Sequence, residues 1–468
     1  MPLCRRGIFG TPTEKMNWTT LFSEARITDK TYQRKTSPDR TNFERDFDRV
    51  VFSSAFRRLQ DKTQVIPLPE SDFVHTRLTN SLEVSCVARS LGKIAGKTII
   101  QRHQLTDLHA SDFGAICATA ALAHDIGNPP FGHSGEASIS HYFTQGKGKT
   151  LRDAVNNDLQ WSDLSDFEGN ANGFKILTNY NPASGGNVNL TFSTLAAFTK
   201  YPTRSNKSAE HAELIKGKVS QKKYGYFQSE QEIFKTIFAH LEIDQLTDYA
   251  WRRHPLAFLV EAADDICYRI IDFEDGIRIG LIPFRDGEEL LKQVIAKEFD
   301  QSRYDQIGDQ REKISYLRAK AINTLINTTS ELFLEHETEF LSGKKDISLI
   351  DLIPEEISKP LNEILGLSID LVYRSKNVLQ IEIAGFNVVA ELLDTFISAV
   401  NDHHTFGKNL KKERPYSDKL VRLFPKQFLT GSEDQYLRIL RVCEFVAGMT
   451  DTYAVSLFRR IKGIELPL

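Results

Sequence analysis

Residues 122–136 carry the sequence Leu-Ala-His-Asp-Ile-Gly-Asn-Pro-Pro-Phe-Gly-His-Ser-Gly-Glu. An apolar helical run precedes this stretch, His124 and Asp125 close that run, and the Gly-Asn-Pro-Pro turn ends it. The turn can bring His133 and Glu136 back over the same point. A neutral imidazole and a carboxylate suit a divalent ion, and a second His/Glu pair suits proton transfer. The stretch therefore predicts metal-assisted hydrolysis at the end of a buried helix.

The composition is that of an ordinary globular chain, with 468 residues of which 41% are hydrophobic and 26% charged. A formal charge of -3 argues against a surface that is basic throughout, but not against a local basic patch. The 5 cysteines are widely spaced without a CxxC pair, which favours free thiols in a reducing compartment. We find no apolar run near the ~20 residues that span a bilayer and no signal-peptide core. The prediction is a cytoplasmic protein without a membrane segment.

Helical periodicity dominates the sequence and predicts an all-α fold. Apolar residues recur at three- and four-residue spacing in residues 78–100, 255–273, 310–340, 355–373, 376–403 and 435–461. Strands, if present, should be short hairpins. Residues 144–190 and 200–230 look irregular and are predicted to be long loops. We predict a disordered extension over residues 1–15, a helical core over 16–280 and a helical C-terminal region over 281–468.

A second acidic segment lies in the helix predicted over residues 255–273. Asp264, Tyr268 and Asp272 stand at i, i+4 and i+8, so they share one face of that helix. The alternative is a solvated acidic stripe, but the apolar neighbours leave little polar surface, and we expect these carboxylates to line a cleft. Asp264 is the natural third metal ligand beside His124 and Asp125.

A basic segment precedes both elements, with cations in residues 56–65 and 75–83. These side chains could meet phosphates, and Arg77 can do so with two hydrogen bonds. Lys62, in the same basic run, could line the same phosphate cleft as Arg77. Taken alone, the segment is more simply explained as a basic helix surface that makes ordinary ion pairs.

Together these segments resemble the HD-domain deoxynucleoside triphosphate triphosphohydrolases, the bacterial dGTPase family, which are also similar to the vertebrate sterile-alpha-motif HD dNTP hydrolase. The match runs in order through Phe52–Gln64, Arg77–Glu83, Ala123–Glu136, Phe167–Asn170, Lys200 with Tyr201, and Glu261–Gly276. The resemblance implies an HD-domain helical bundle as the catalytic domain over residues 16–280. The C-terminal region matches no motif that we can name, although a helical extension would suit the family.

The resemblance also implies the chemistry of the matched residues. His124, Asp125 and Asp264 would hold a divalent metal ion, which could be Mg, Mn or another transition metal. His133 and Glu136 would be the catalytic pair beside the α-phosphate.

The remaining matched residues would contact the substrate, and Tyr268 under the deoxyribose would leave no room for a ribose 2′-hydroxyl. The other contacts would be Arg77 and Lys200 at the phosphates, with Tyr201 close by, and Gln64 and Asp272 at the sugar 3′-hydroxyl.

The reaction implied by the family splits a dNTP, either dGTP or several dNTPs, into a deoxynucleoside and inorganic triphosphate. The family also implies a homo-oligomer, with dimers assembling into a hexamer, and modulation by an allosteric nucleotide or single-stranded DNA. The Lys-rich residues 200–223 could touch nucleic acid, although a solvated loop is the favoured interpretation.

Asn80 departs from the family pattern, which has the first metal-ligand histidine at this position. A neutral amide oxygen is a poorer partner for a transition metal than an imidazole is. We therefore expect weaker metal binding and slow or absent hydrolysis. His75 lies five residues earlier and is not expected to replace the missing ligand. The asparagine represents either an engineered inactivation or a natural change toward weak or regulatory function.

Two alternative functions stay open. An HD phosphohydrolase of nucleoside monophosphates or cyclic nucleotides would keep the metal ligands but would not need Gln64, Tyr268 and Asp272 together. A catalytically silent nucleotide-binding or single-stranded DNA-binding regulator would explain Asn80. The first alternative predicts orthophosphate or pyrophosphate as product, and the second predicts none.

Overall fold

A computed structural model describes residues 16–28, 40–64, 75–179, 188–205, 209, 213, 216–429 and 434–466. Its elements confirm the all-α prediction. The helices are α1 Trp18–Leu21, α2 Asn42–Val51, α3 Ser54–Arg57, α4 Arg77–His103, α5 Ala110–Ala123, α6 Gly132–Thr144, α7 Asp158–Ser165, α8 Gly169–Thr178, α9 Phe192–Phe198, α10 Gln231–His240, α11 Pro255–Arg278, α12 Phe284–Ile295, α13 Gln301–Asp305, α14 Gln310–Glu335, α15 Glu337–Leu341, α16 Glu355–Leu367, α17 Lys376–Phe406, α18 Leu410–Glu413, α19 Pro415–Leu423, α20 Gln435–Ala447 and α21 Asp451–Ile461.

Short irregular elements connect these helices. A π-helical turn follows α16 at Ser368–Tyr373. The strands β1 (Gln245–Thr247) and β2 (Ala250–Trp251) pair as an antiparallel hairpin, as predicted. Turns of 3₁₀ helix lie at Arg58–Asp61, Lys147–Leu151, Val219–Gln221, Gln228–Glu230, Ala296–Glu298, Leu349–Leu352 and Gly407–Asn409. The extension predicted over residues 1–15 lies outside the described residues.

Helix α5 forms the centre of the bundle and delivers His124 to its cleft. The helix is apolar around its whole circumference and packs against α2, α4, α9 and α11. A helix that is apolar on every side is stable only when it is buried on every side. His124 follows directly as its C-cap residue, so the polar groups of residues 124–136 begin where the apolar core ends.

Two apolar clusters make up the core. The first runs from Met16 to Val372 and therefore continues past residue 280 through α12, α14 and α16. The second joins apolar residues of α6, α7 and α8 to those of α17, α20 and α21. Ile126 belongs to the first cluster and Phe131 to the second, so the turn between them connects the two. The domain boundary near residue 280 stays a prediction.

The prediction of a long loop over residues 144–190 is wrong for α7 and α8. The Asn157 side chain caps α7 by accepting hydrogen bonds from two backbone amides, and Glu168 caps α8 by accepting one from the backbone amide of Asn170. Both helices are short and bury apolar side chains, including Leu164 and Phe174. Helices of this length depend on tertiary packing, which composition does not reveal. Residues 180–187 of this stretch lie outside the described residues.

One helical stretch, Lys376–Glu413, is long and apolar enough to cross a membrane by length and composition alone. The sequence predicts a helix over residues 376–403 but no membrane segment. However, 50% of its most apolar window is buried inside the protein, where α6, α19, α20 and α21 pack against α17. Such burial is typical of a core helix, so this stretch is weak evidence for a membrane segment.

Gly127, in the turn after His124, provides the first testable prediction. Its φ is +111°, and a Cβ there would lie 2.2 Å from the backbone nitrogen of Gly173. Both the left-handed backbone and the contact with α8 oppose a side chain, so Gly127→Ala should lower the free energy of unfolding by ~2 kcal/mol or more. Urea denaturation measures this loss.

Gly366→Ala is the matched control. Gly366 is exposed within α16, and a Cβ there would meet no atom within 4 Å. Alanine is favoured over glycine inside a helix, so this variant should be more stable by up to about 1 kcal/mol. Equal effects of the two substitutions would contradict the strained turn.

Candidate active site

A cleft of about 510 Å³ lies between α4, α6, α8, α11 and the start of α17. It collects the predicted site residues from segments far apart in the sequence. The predicted residues that line it are Gln64, Arg77, His124, Asp125, His133, Glu136, Lys200, Tyr201, Asp264, Tyr268 and Asp272. Asn80 does not line the cleft, and its side chain is buried next to His124. The structure shows that the lining residues lie close together, whereas the role of each residue stays a prediction.

His124 is oriented by the end of its own helix. Its Nδ1 lies 2.7 Å from the carbonyl oxygen of Ala121, which accepts a hydrogen bond only if Nδ1 carries the proton. When the ring is neutral, a proton on Nδ1 leaves the lone pair on Nε2, the state in which histidine binds a metal. Nε2 lies 3.5 Å from the Asn80 side-chain nitrogen, while the assignment of Asn80 to the position of the family's histidine stays a prediction.

Carboxylates surround the same nitrogen. His124 Nε2 lies 3.3 Å from Asp125 Oδ2 and 3.5 Å from Asp264 Oδ1. Such separations suit donor atoms that each stand roughly 2.0–2.2 Å from a common ion. The buried Asp125 Oδ2 makes no hydrogen bond to the described residues. Although burial alone would lower the pKa of His124, Asp125 and Asp264 raise it to about 9. The local field therefore favours a positive charge.

The donor atoms suit a divalent ion in their chemistry and in their distances from His124, but they are not arranged as a complete site. Among the described residues, no three His, Cys, Asp or Glu side chains already form a full ligand group. Arg77 donates a hydrogen bond to Asp125 Oδ1, and the ammonium of Lys200 lies 3.7 Å from Asp264 Oδ2. His75 is paired with Asp275 at 2.8 Å, which keeps it from replacing Asn80 as a ligand. Convergence on one ion stays a prediction.

His133 lies on the first turn of α6, which follows the left-handed residue Phe131, and Glu136 begins the second turn. Glu136 accepts a hydrogen bond of 2.8 Å from the backbone amide of Gly169. Burial, together with the charge of Glu168, raises the pKa of Glu136 to about 7. Burial and nearby cations lower the pKa of His133, which favours its neutral imidazole. Groups that titrate near neutrality suit proton transfer.

The cations of the cleft are paired with carboxylates. Lys200 lies 3.5 Å from Glu261, whose other oxygen accepts a hydrogen bond from Arg253. Lys223 lies 3.1 Å from Glu168, beside Glu136. A polyphosphate entering this cleft would add to these ion pairs or replace them.

Lys62 does not line the cleft, so its predicted phosphate contact is wrong. The side chain is buried, and its ammonium donates to the backbone carbonyls of Asn128 at 2.5 Å and Ala447 at 2.7 Å. Burial lowers its pKa to about 7. Lys62 thus connects segments of the backbone, which its position in a basic run did not reveal.

The far end of the cleft is aromatic and acidic. The Tyr268 ring stacks on Tyr373 with centroids 5.5 Å apart, and the Tyr373 hydroxyl donates to Asp272 at 2.9 Å. Burial raises the pKa of Asp272 to about 8. The side-chain oxygen of Gln64 is buried here without a hydrogen bond to the described residues. These groups offer an unpaired acceptor and a flat surface to a ligand.

Sequence reasoning missed Tyr373, Glu168 and Lys223 as cleft residues. Glu168 lies within the matched segment Phe167–Asn170 but received no role. Lys223 was assigned to a solvated loop. Tyr373 lies in the region that matched no motif, and no local signal places it against α11.

Comparison with known proteins matches residues 77–155 to the HD domain and residues 352–460 to the phosphohydrolase-associated domain. A deoxyguanosinetriphosphate triphosphohydrolase-like protein of Synechocystis sp. is 42% identical to this chain and aligns with 96% of it and 100% of its own length. The chain belongs to the deoxyguanosinetriphosphate triphosphohydrolase-like family. A member of this family from Pseudomonas aeruginosa is 37% identical over 97% of this chain and 100% of its own length.

Family membership makes the chain an HD-domain phosphohydrolase, a class that is generally metal-dependent. A deoxyguanosinetriphosphate triphosphohydrolase of Enterobacter sp. is 28% identical over 90% of this chain and 94% of its own length. The HD domain contains Arg77, His124, His133 and Glu136, and the phosphohydrolase-associated domain contains Tyr373. Both domains of this dGTPase-like chain therefore contribute side chains to the cleft.

Proposed function

We propose that the protein hydrolyses a deoxynucleoside triphosphate to a deoxynucleoside and inorganic triphosphate. The observation that best supports this proposal is that one cleft contains cationic side chains, a His/Glu pair on α6 and the face of α11 that presents Tyr268 and Asp272. The names of the relatives from Synechocystis and Enterobacter support dGTP as the first substrate to test. We place the reaction in the cytoplasm, as the composition indicates.

In this mechanism the side chains of the cleft bind the triphosphate and move one proton. Arg77 and Lys200 would face the phosphates and offset the negative charge that develops at the α-phosphorus. Water adds to the α-phosphorus, the bond from phosphorus to the sugar 5′-oxygen breaks, and that oxygen takes a proton. His133 would take the proton from the water or deliver it to the 5′-oxygen, with Glu136 beside it as a second proton-transfer group.

His124, Asp125 and Asp264 would hold the divalent ion that this class requires, with the amide of Asn80 beside them. When bound, the ion would supply Lewis-acid polarisation of a phosphate oxygen. With an amide in place of the fourth ligand, we expect the ion to bind weakly while the phosphate contacts persist. This protein would then bind a dNTP and hydrolyse it slowly.

Tyr268 should determine the selection of deoxyribose over ribose. Its ring is held by stacking on Tyr373, so a 2′-hydroxyl over that ring would be buried without a partner. Removing the ring in Tyr268→Ala should lower the preference for dGTP over GTP about tenfold or more. The ratio of the two binding constants measures this preference. Tyr416→Ala, which removes an exposed tyrosine on α19, is the control that should leave the ratio unchanged.

The decisive experiment is product analysis with each dNTP and added Mg²⁺ or Mn²⁺. Inorganic triphosphate together with deoxynucleoside supports the proposal. Orthophosphate or pyrophosphate would instead support an HD phosphohydrolase of another nucleotide. Binding of dNTP without any product, both in this chain and in Asn80→His, would favour a silent nucleotide-binding regulator.

We also infer a homo-oligomer, from dimer to hexamer, whose activity responds to an allosteric nucleotide or to single-stranded DNA. The support is the family resemblance and the Lys-rich residues 200–223, of which several lie outside the described residues. Light scattering tests the assembly against the 53.2 kDa chain mass. Steep salt dependence of oligonucleotide binding would support contact with DNA.

A further inference from the structure

Three distant segments of the chain meet at Asp451, beside the cleft. The Asp451 carboxylate is 1% exposed and accepts hydrogen bonds through both of its oxygens. Its Oδ2 accepts from the backbone amide of Thr63 at 2.9 Å and from the Thr63 hydroxyl at 2.6 Å. Its Oδ1 accepts from the backbone amide of Phe131 at 3.0 Å. One carboxylate on α21 thus joins the segment before Gln64 to the turn before His133.

Lys62 joins the same segments as a hydrogen-bond donor, whereas Asp451 joins them as an acceptor. Its ammonium donates to the carbonyls of Asn128 in the turn and of Ala447 at the end of α20. Asp451 also stabilises the buried charge of Lys62, because the two are close enough to interact electrostatically. We call Lys62, Asp451 and the backbone groups that they bind the junction.

The junction holds a turn that is unfavourable by itself. Phe131 has φ +62°, and a bulky residue adopts this left-handed conformation only when its surroundings enforce it. The α17 helix adds further constraints, because Ser134 and Ser138 of α6 donate to carbonyls of α17 at 2.9 and 2.6 Å. A Cβ on Gly385 of α17 would lie 2.3 Å from the Phe131 ring.

We propose that Asp451 is a positioning residue that sets the places of both His133 and Gln64. It lies in the phosphohydrolase-associated domain, whereas the groups that it positions belong to the catalytic cleft. It lies outside the residues that line the cleft, so it acts through Phe131 and Thr63. The proposal rests on the proposed function for the roles of His133 and Gln64, but not for the existence of the junction.

Asp451→Asn tests the proposal with minimal change in size. The amide keeps one acceptor oxygen but places an NH₂ group against donors, so at least one side of the junction must open. Hydrogen exchange of peptides covering residues 59–64 and 126–136 should accelerate about tenfold, while α5 stays protected. The kcat for triphosphate release, measured in this chain and in the Asn80→His background, should fall about tenfold or more. The KM should change less, because Asp451 is hydrogen-bonded to Thr63 and Phe131 and not to Arg77 or Lys200.

Asp46→Asn is the matched control. Asp46 is also buried, and its Oδ2 accepts from the backbone amide and the hydroxyl of one threonine, Thr191, at 2.8 and 2.7 Å. It lies outside the cleft lining, so its replacement should cost stability without changing kcat below the unfolding temperature. A similar fall of kcat in both variants would overturn the proposal, because general destabilisation would explain it.

Thr63→Val is a milder variant for the case in which Asp451→Asn fails to fold. It removes only the 2.6 Å bond and should accelerate exchange in the same two peptides by a smaller factor. Unchanged exchange in a folded Asp451→Asn or Thr63→Val protein would overturn the proposal. Accelerated exchange with no triphosphate from any dNTP would support the junction while refuting the proposed function, so the two failures are distinguishable.

Discussion

Asn80→His is expected to raise the rate of triphosphate release by ~10²-fold or more, since loss of one key electrostatic group typically costs ~10²–10³ in turnover. Asn80 Nδ2 lies 3.5 Å from His124 Nε2. The carboxylates of Asp125 and Asp264 lie 3.3 and 3.5 Å from the same nitrogen. An imidazole at this place would add the nitrogen donor that a divalent ion prefers over an amide. The site would then have two histidines and two carboxylates.

Metal content should rise together with activity. We expect elemental analysis after dialysis to find little metal in this chain and close to one ion per chain in Asn80→His. The dNTP affinity should change much less, because Arg77 and Lys200 line the cleft and Asn80 does not. Asn80→Ala is the control, and it should gain neither metal nor activity. If this chain already turns over as fast as Asn80→His, the amide is a tolerated ligand and the interpretation of an impaired site is wrong.

Glu136→Gln, made in the Asn80→His background, is expected to lower kcat by ~10²–10⁴-fold, the usual contribution of a general acid or base. Glutamine keeps the size of the side chain and an oxygen to accept the 2.8 Å bond from the Gly169 amide. It neither takes up nor releases a proton near neutral pH and carries no charge. A lower kcat would therefore reflect a role of Glu136 in catalysis and not in packing.

The pH profile gives a second measurement of the same role. Burial and Glu168 raise the pKa of Glu136 to about 7, so its carboxylate form grows as the pH rises through 7. If the ionised form assists His133, kcat rises over this window and Glu136→Gln removes that dependence. Glu337→Gln is a control in a buried carboxylate outside the cleft, which is bonded to Trp18 at 2.7 Å. An unaltered kcat in Glu136→Gln would exclude Glu136 from catalysis.

The parts of the site that sequence predicted are those fixed by helical geometry. Asp264, Tyr268 and Asp272 line the cleft as expected, because a four-residue spacing on one helix sets a common face whatever the rest of the fold does. His124 lies at the end of α5 because an apolar helix must end where polar residues begin. Local periodicity therefore carries this information.

The parts that sequence did not predict depend on packing between distant segments. Tyr373 contacts Asp272 only because the π-helical turn after α16 brings it to α11. Lys62 looked like a phosphate ligand, but its ammonium donates hydrogen bonds to two backbone carbonyls more than sixty residues away in the sequence. The helices α7 and α8 escaped notice because their stabilisation comes from tertiary burial.

The two apolar clusters of the core have a consequence for protein engineering. His124, the proposed metal ligand, adjoins the first cluster, whereas α6, with His133 and Glu136, packs in the second, among helices of the phosphohydrolase-associated domain. A recombinant fragment cut near residue 280 would therefore carry the whole HD sequence but lack α17, α20 and α21, which pack against α6 and the proposed proton-transfer residues. Chimaeras that exchange C-terminal regions between relatives would need to transfer α6 together with α17, α20 and α21. The HD domain recognised in the sequence is therefore smaller than the part of the chain that supports the proposed active site.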